Sequence, residues 1–202
     1  MNRKRLMQSF LLACSVSLVI GQGHIAAAVD KPDSNFKAAQ ASSLQLTGTA
    51  IRKRFFLKVY RISHFMEWPT NPVVDSHALF TLITSGNVEQ RIELVFLRSV
   101  SRKQLENALI EGVKRNNPGR DLSDIEAQIK TLSSGVDKDI EAQTHLVLAR
   151  SASDVLTVYV NDEKIVESNK KAFNESLWSI WFGDQPTVDK NELIKNYRNV
   201  NG

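Results

Sequence analysis

The sequence predicts an α+β fold built on an antiparallel sheet. Residues 44–65 and 144–166 are rich in β-branched and aromatic side chains, which is typical of strands. Between and after them, residues 101–118, 121–132 and 170–182 carry apolar positions every three or four residues, the spacing of amphipathic helices. Strands that can pair as hairpins around blocks of helix favour α+β over a regular alternation. No internal repeat is visible, and residues 44–202 are assigned to one domain.

The first strand region, residues 44–65, fits either one long or bent strand or a hairpin broken near Arg52–Arg54. A turn follows at Trp68–Pro72, because each proline disfavours helix at the residue before it. Residues 77–84 and 90–97 are predicted to pair as a hairpin, and alternating apolar residues in the second arm give it one buried face. Further strands are expected at residues 144–149, 155–160 and 164–166.

Local signals mark the ends of the helices. Ser101 can cap the first helix while Gln104 reaches back to it, and Pro118–Gly119 ends that helix. The helix at residues 170–182 is followed by Gly183, where we expect a left-handed C-cap. The other helices are predicted from Asp121 or Ser123 to Leu132, and at residues 189–197.

The first 28 residues have the layout of a secretory signal peptide. Three cations precede a mostly apolar run, Leu6–Ile20, and Ala26–Ala28 offers a small-x-small cleavage site near Ala28. The run is too short and too often interrupted by polar residues for a membrane span. It also approximates a lipoprotein cleavage box at Cys14, but cutting there would leave an apolar mature start. We therefore expect an exported, periplasmic chain, soluble after cleavage, with residues 29–43 as a flexible lead-in.

Removal of the signal segment changes the charge and composition. The full chain has 26 basic and 22 acidic side chains, and losing three cations leaves 23 against 22. A nearly neutral domain lacks the broad positive surface of a nucleic-acid-binding protein. The mature chain has no cysteine, and His64, His77 and His145 lack metal-ligand spacing. No Ser-His-Asp arrangement or glycine-rich phosphate loop is legible, so we expect no nucleic-acid partner, no metal and no cofactor.

One strand region is unusually basic. Between Gly48 and Arg61 the chain places five cations in a β-branched, aromatic stretch: Arg52, Lys53, Arg54, Lys58 and Arg61. Such charges are costly inside a strand unless they reach water or meet an anion. They fit a solvated sheet edge, where charge discourages aggregation, or a binding site. The two interpretations are weighted equally for Lys53, Arg54 and Arg61, and a binding role is favoured for Arg52.

Three motifs follow one another across nearly the whole mature chain. They are Gly48-x-Ala-Ile-Arg-x-x-Phe-x-x-Lys-Val-Tyr60, Leu97-Arg-Ser-Val-Ser101 leading into Ala108-x-x-Glu-Gly112, and Val160-Asn161 followed by Phe173 and Ile180-Trp-Phe-Gly-Asp-x-Pro186. In type and order they resemble the chalcone isomerase-like family, in its short exported bacterial branch. The resemblance implies an open-faced β-sandwich, a large antiparallel sheet with helices packed on one face and a ligand cleft between them.

The same resemblance bears on catalysis. Plant isomerases of the family line the cleft with a threonine, a tyrosine and an asparagine, and an ungapped alignment puts Phe55, Leu105 and Gly112 at those positions. None of these can make the hydrogen bonds, and such positioning is typically worth roughly 10²-fold or more in rate. These departures from the family pattern favour a protein without catalysis. The alternative is an intramolecular lyase (isomerase) acting on a phenolic enone, with Arg52 as the catalytic cation that stabilises an enolate.

Family members that bind fatty acids hold the carboxylate with an arginine and a tyrosine, and Arg52 and Tyr60 match those positions. Both are even-numbered, so an unbulged strand would aim them at one side. A guanidinium fork and a phenol hydroxyl suit a carboxylate. We expect ligand binding of a small amphipathic anion, such as a fatty acid, at this pair. A third possibility is a protein that binds a macromolecular partner and no small ligand.

Aromatic residues near these motifs have a simpler interpretation. Trp178 and Trp181 lie at helical spacing and are predicted to be core residues rather than a ligand cage. Phe55 and Phe56 would point to opposite faces of a continuous strand, so one of them is expected to line the cleft.

Overall fold

The computed structural model describes residues 44–136 and 138–201. The predicted signal peptide (1–28) and lead-in (29–43) lie outside these residues. In the described part of the chain a six-stranded sheet is accompanied by five α-helices and a short 3₁₀ helix. The strands are β1 (Gln45–Arg54), β2 (Leu57–Met66), β3 (Gln90–Phe96), β4 (His145–Arg150), β5 (Leu156–Val160) and β6 (Glu163–Ser168). The helices are α1 (Ser76–Ser85), α2 (Arg102–Asn116), α3 (Ser123–Ser134), α4 (Lys171–Phe182) and α5 (Lys195–Asn201), with the 3₁₀ helix at Glu192–Ile194.

The sheet is antiparallel throughout, and its strand order follows the chain from β1 to β6. Alternate side chains of neighbouring strands line up on one face, as Ile62, Leu94 and Leu146 do across β2, β3 and β4. These residues are buried and join the apolar side chains of the helices in one core. The opposite face carries a smaller cluster around Val147 and Tyr159. The predicted α+β class, with helices packed on one face of an antiparallel sheet, is confirmed.

The basic strand region is a hairpin, not one long strand. β1 and β2 pair in antiparallel fashion, and Phe55 and Phe56 form the two-residue turn between Arg54 and Leu57. A register shift follows Arg52 in β1. The hairpin turn therefore comes directly after the three consecutive cations, Arg52–Arg54. A hairpin was one of the two alternatives that the sequence left open.

The prediction of a strand at residues 77–84 is wrong, because this segment is helix α1. The Asp75 side chain caps the helix by accepting from the Ala78 backbone N–H at 2.7 Å. Leu79 and Ile83, four residues apart, are its buried positions, and Gly86 ends it with a φ of 74°. A short apolar run fits a strand and a buried helix equally well by periodicity, and the aspartate cap was the signal that separates them.

The prediction of a left-handed cap at Gly183 is also wrong. The backbone there is extended, with φ −72° and ψ −167°. The position needs glycine for a different reason, because an added Cβ would lie 2.4 Å from Asn116 Oδ1. The last helix begins later than predicted, since Asp189 accepts from the Asn191 N–H in a local turn and the 3₁₀ helix starts only at Glu192. By contrast, α2 has the predicted capping box.

The segment around Leu193 packs tightly against β1. The 3₁₀ helix lies so close to β1 that a Cβ on Gly48 would sit 2.1 Å from the Glu192 carbonyl oxygen and 2.6 Å from the Leu193 carbonyl carbon. Thr47 also donates a hydrogen bond to the Leu193 carbonyl at 2.7 Å. This approach explains the glycine at the start of the first motif.

We expect Gly48→Ala to destabilise the protein by about 2 kcal/mol or more, because a methyl group against backbone atoms forces the 3₁₀ helix to move. A urea titration of the variant measures the loss. Gly119→Ala is the matched control. Its Cβ would meet nothing within 4 Å, but its φ of 75° disfavours alanine, so its cost is confined to roughly 1 kcal/mol of backbone strain. A smaller loss for Gly48→Ala than for Gly119→Ala would contradict the close packing.

Candidate ligand-binding site

The two residues predicted to hold a ligand stand directly opposite each other. Arg52 of β1 and Tyr60 of β2 are register partners in the hairpin. Directly opposed residues of an antiparallel pair share a face of the sheet. The expectation that both side chains point to one side therefore holds, although they lie on two strands and not on the single strand from which the parity argument started.

Tyr60 lies on the face that the helices cover. It lies two positions from the buried core residue Ile62 along β2, on the same face of the sheet, and its ring meets that of Phe96 edge-on at 5.9 Å between centroids. Helix α4 reaches it from above, where the Trp181 indole Nε1–H donates to the Tyr60 hydroxyl at 3.0 Å. The hydroxyl is thus held in place between the sheet and α4.

The Arg52 side chain is half-buried and is turned toward the protein. Its Nη1 donates to the backbone carbonyl of Thr187 at 2.6 Å. Thr187 belongs to the loop between α4 and the 3₁₀ helix, so this bond orients the guanidinium toward the same loop. The bond uses one of the five N–H donors that an arginine carries.

The electrostatics of the pair suit an anion. Burial raises the pKa of the Tyr60 hydroxyl above its ordinary value, while Thr187, Trp181 and the positive charge of Arg52 lower it by smaller amounts. The phenol therefore keeps its proton at neutral pH and can donate it to an oxygen. A permanent cation and a neutral hydroxyl donor side by side form a good receptor for a carboxylate.

The remaining cations of the basic segment have a different position. They are exposed, and among residues 44–136 and 138–201 none of them forms a salt bridge: Lys53, Arg54, Lys58 and Arg61. The expectation that Phe55 or Phe56 lines the cleft is wrong. Both form the hairpin turn, and their side chains are 90% and 87% exposed.

The positions that carry polar cleft residues in plant isomerases are apolar or backbone-packed here. Leu105 and Gly112 are buried on α2. A Cβ on Gly112 would lie 3.0 Å from Ile180 of α4, so the two helices pack closely at this point. The hydrogen-bonding groups that would orient a chalcone and a water are not provided by these side chains.

Sequence reasoning missed two contributors to the site. Trp178 and Trp181 are core residues, as predicted, but Trp181 also binds Tyr60 through its indole N–H. A buried tryptophan usually finds a partner for that group, which was the available signal. Thr187 accepts a hydrogen bond from Arg52 through its backbone carbonyl, and no side-chain pattern in the sequence predicts such a contact.

Two surface hollows of about 380 Å³ each lie elsewhere. One is at the connection between α2 and α3, beside Asn117 and Leu122. The other is between α1 and α4, lined by residues that include Phe80, Phe182 and Lys190. In the described ranges no group of three or more His, Cys, Asp or Glu side chains could hold a metal ion. None of the helices there combines the length and apolar character needed to cross a bilayer.

Comparison with known proteins relates this geometry to a family. A family model described as chalcone isomerase-like matches residues 27–195. A crystal structure of a fatty-acid binding protein from Arabidopsis thaliana has a similar fold, with a TM-score of 0.65 and 16% sequence identity over 78% of this chain and 88% of that one. A search of curated protein sequences gave no match. At this identity the likeness to the plant structure speaks for the fold.

Proposed function

Since the chain belongs to the chalcone isomerase-like family, we propose that it is a non-catalytic member that binds a small amphipathic anion such as a fatty acid. The observation that carries the proposal is the opposed pair of Arg52 and Tyr60, both on the helix-covered face of the sheet. The cation attracts the carboxylate and the protonated phenol donates to it.

The surroundings of the pair favour a ligand with an apolar tail. Tyr60 contacts Phe96 and Trp181, both almost completely buried. The tail of a carboxylate held at Arg52 would therefore lie along aromatic side chains between the sheet and α4. The apolar surface of the tail would leave water there, which favours binding. The fold shared with a protein that is named a fatty-acid binding protein supports this class of ligand.

The location belongs to the same proposal. The charged, apolar and small-residue zones of residues 1–28 support export to the periplasm, with cleavage near Ala28. The intact mass of the processed protein tests this directly. A mature chain that begins near Val29 and carries no lipid agrees with the proposal, and a lipid on Cys14 contradicts it.

The second candidate function is an intramolecular lyase that closes a phenolic enone. Arg52 is the group that favours it, because a cation beside a developing enolate lowers the barrier to cyclisation. The absence of polar groups at Leu105 and Gly112 weighs against it. This function would be established instead if the unaltered protein removed the absorbance of chalcone and the Arg52→Ala variant did not.

We expect Arg52→Ala to lower the recovery of fatty acid with the purified protein by roughly 10-fold or more, because a hydrogen-bonded charge is worth about 1.5–3 kcal/mol. Tyr60→Phe should lower it less, by roughly fivefold, since it removes one neutral donor. Lipid extraction followed by mass spectrometry measures both. Arg54→Ala is the matched control, an exposed cation on the same strand. Equal recovery from the Arg52→Ala variant and the unaltered protein would refute the site.

A further inference from the structure

The tip of the β1–β2 hairpin, residues 53–58, presents apolar side chains to solvent. Phe55 and Phe56 are almost fully exposed, and the neighbouring Leu57 is 43% exposed. Single exposed apolar residues are ordinary on protein surfaces, whereas contiguous ones mark a contact surface. Nothing in the packing of the core requires these three side chains to be large.

The tip also projects beyond the rest of the sheet. The ladder between β2 and β3 ends at Tyr60 and Phe96, with one further hydrogen bond from Leu97 N–H to the Val59 carbonyl. Residues beyond that point pair only within the hairpin. At the usual rise along a strand, Phe55 and Phe56 reach about 10 Å past the last inter-strand bond to β3.

The backbone conformation at the turn is unfavourable for a phenylalanine. Phe55 has a φ of 55°, a conformation in which a bulky residue is an outlier. Two-residue hairpin turns that need a positive φ at the first position prefer glycine there. A phenylalanine at this position costs local stability without filling the core, which points to a role for the exposed ring itself.

Positive charge surrounds the apolar tip. We call the four exposed cations Lys53, Arg54, Lys58 and Arg61 the basic collar. From Leu44 to Met66 the chain contains no aspartate or glutamate, and the collar forms no salt bridge within the part of the chain that the structure describes. The collar is therefore complementary to a negatively charged surface.

We propose that the hairpin tip docks on an anionic lipid bilayer. The order of the groups along the hairpin matches the layers of such a surface, because the apolar rings lie outermost and the cations lie behind them. The rings of Phe55 and Phe56 enter the boundary between headgroups and acyl chains, a preferred place for amphipathic insertion. The basic collar then meets the lipid phosphates. Several exposed cations around the rings, with no acidic residue from Leu44 to Met66, fit a uniformly anionic bilayer better than a protein partner, because the core of a protein interface is depleted of charged side chains.

Docking of the tip does not require a ligand at the Arg52–Tyr60 pair. Docking would, however, bring that pair close to the headgroup layer, because it lies immediately behind the tip in the hairpin ladder. Fatty-acid-free vesicles allow the two proposals to fail separately.

The test is cosedimentation with vesicles of phosphatidylcholine alone and of phosphatidylcholine mixed with phosphatidylglycerol. All variants are expressed as the complete chain and purified in the form to which the cell processes it. We expect binding to the mixed vesicles that weakens with salt, and much weaker binding to phosphatidylcholine alone. Replacing both rings, Phe55→Ser with Phe56→Ser, should weaken binding by roughly 100-fold. Each collar substitution, such as Lys53→Gln or Lys58→Gln, should weaken it by roughly fivefold.

Val74→Ser with Val200→Ser is the matched control, because both valines are exposed apolar residues outside the tip, and it should bind like the unaltered protein. Circular dichroism establishes that each variant is folded. As a positive signal, the fluorescence that Phe55→Trp adds to that of the three native tryptophans should shift to shorter wavelength on the mixed vesicles. Brominated acyl chains should quench it. Any one of three results would overturn the proposal: no binding by the unaltered protein, equal binding after loss of both rings, or a tip whose loss abolishes self-association but not vesicle binding.

Discussion

Replacing Arg150 by methionine is expected to lower the free energy of unfolding by about 3–5 kcal/mol, the usual cost of removing one partner of a buried ion pair. The Arg150 side chain is completely buried, and its Nε donates to Asp154 Oδ1 at 2.6 Å. Its Nη1 and Nη2 donate to the carbonyls of Thr84 and Ser85, at 2.8 and 3.3 Å, in the last turn of α1. One side chain therefore joins β4, the β4–β5 turn and α1.

The loss of stability would be large because several buried groups would lose their hydrogen-bond or charge partner at once. Asp154 would keep a mostly buried charge without its cation, and two carbonyls at the negative end of a helix would lose their donor. The guanidinium also lies over the Trp178 ring, 5.2 Å from its centroid. A lysine could carry the charge, but it could not reach the three acceptors with a planar fork, so Arg150→Lys should recover only part of the loss.

A urea titration at neutral pH measures these differences. Lys114→Met is the control, because Lys114 and Glu126 form an ion pair at 2.8 Å in which the lysine is more than half exposed, and such pairs contribute at most about 1 kcal/mol. Combining Arg150→Met with Asp154→Asn should cost less than the sum of the single changes, since the stranded charge is then removed. Similar losses for Arg150→Met and Lys114→Met would show that the buried pair contributes little.

A second large effect should appear in the pH dependence of stability, through His64. Burial lowers the pKa of this histidine from about 6.5 to about 4, although the Gln90 hydrogen bond raises it slightly. The ring is fully buried, with Nδ1 2.6 Å from Thr47 Oγ1 and Nε2 3.1 Å from Gln90 Oε1. Gln90 Oε1 also accepts from the Trp178 indole, so Nε2 of the neutral ring carries the proton that is donated to this oxygen.

The sign of the effect follows from the lowered pKa. Above about pH 6.5 both the folded and the unfolded chain hold His64 neutral, and its contribution is fully present. As the pH falls from 6.5 toward 4, the unfolded chain takes up a proton that the folded chain refuses. Stability should therefore decline by about 3 kcal/mol across this window. Urea midpoints measured at a series of pH values test the decline.

Comparison with a variant isolates the histidine from the carboxylates, which also titrate toward pH 4. His64→Gln should be less stable at neutral pH, because its shorter amide cannot reach both Thr47 and Gln90, but its stability should fall less steeply with acid. His77→Asn is the matched control, since His77 is exposed on α1, and it should reproduce the slope of the unaltered protein. Parallel curves for His64→Gln and the unaltered protein would exclude His64 as the cause.

The sequence predicted the fold where several local signals agreed. The α2 helix has a capping box, an apolar stripe and a proline-glycine stop, and it forms as predicted. The segment that became α1 has apolar residues at almost every position of its centre, so neither a helical nor a strand period stands out. Its identity depends on the Asp75 cap and on packing against α4. The wrong prediction at Gly183 also reflects tertiary packing, because a side chain at this position would collide with Asn116, a residue far away along the chain.

For the site, the sequence and the family resemblance identified the pair of residues but not its support. Arg52 and Tyr60 could be singled out because they are an arginine and a tyrosine in a recognisable motif. The hairpin turn between them was one of two alternatives, since Phe55 and Phe56 are not typical turn residues. The contacts to Thr187 and Trp181 cross more than 100 positions of sequence, and such contacts are fixed only by the three-dimensional packing.

The packing of the 3₁₀ helix on β1 determines when the first strand can complete its contacts. The first strand of the sheet is among the earliest described residues to be synthesised, while Leu193 and Ile194, which shield it, are among the last. Until Leu193 and Ile194 are in place, the face of β1 around Gly48 lacks its covering backbone. β1 therefore reaches its final packing only when the segment around Leu193 joins it, and removal of residues 192–194 would leave the region around Gly48 without its covering backbone.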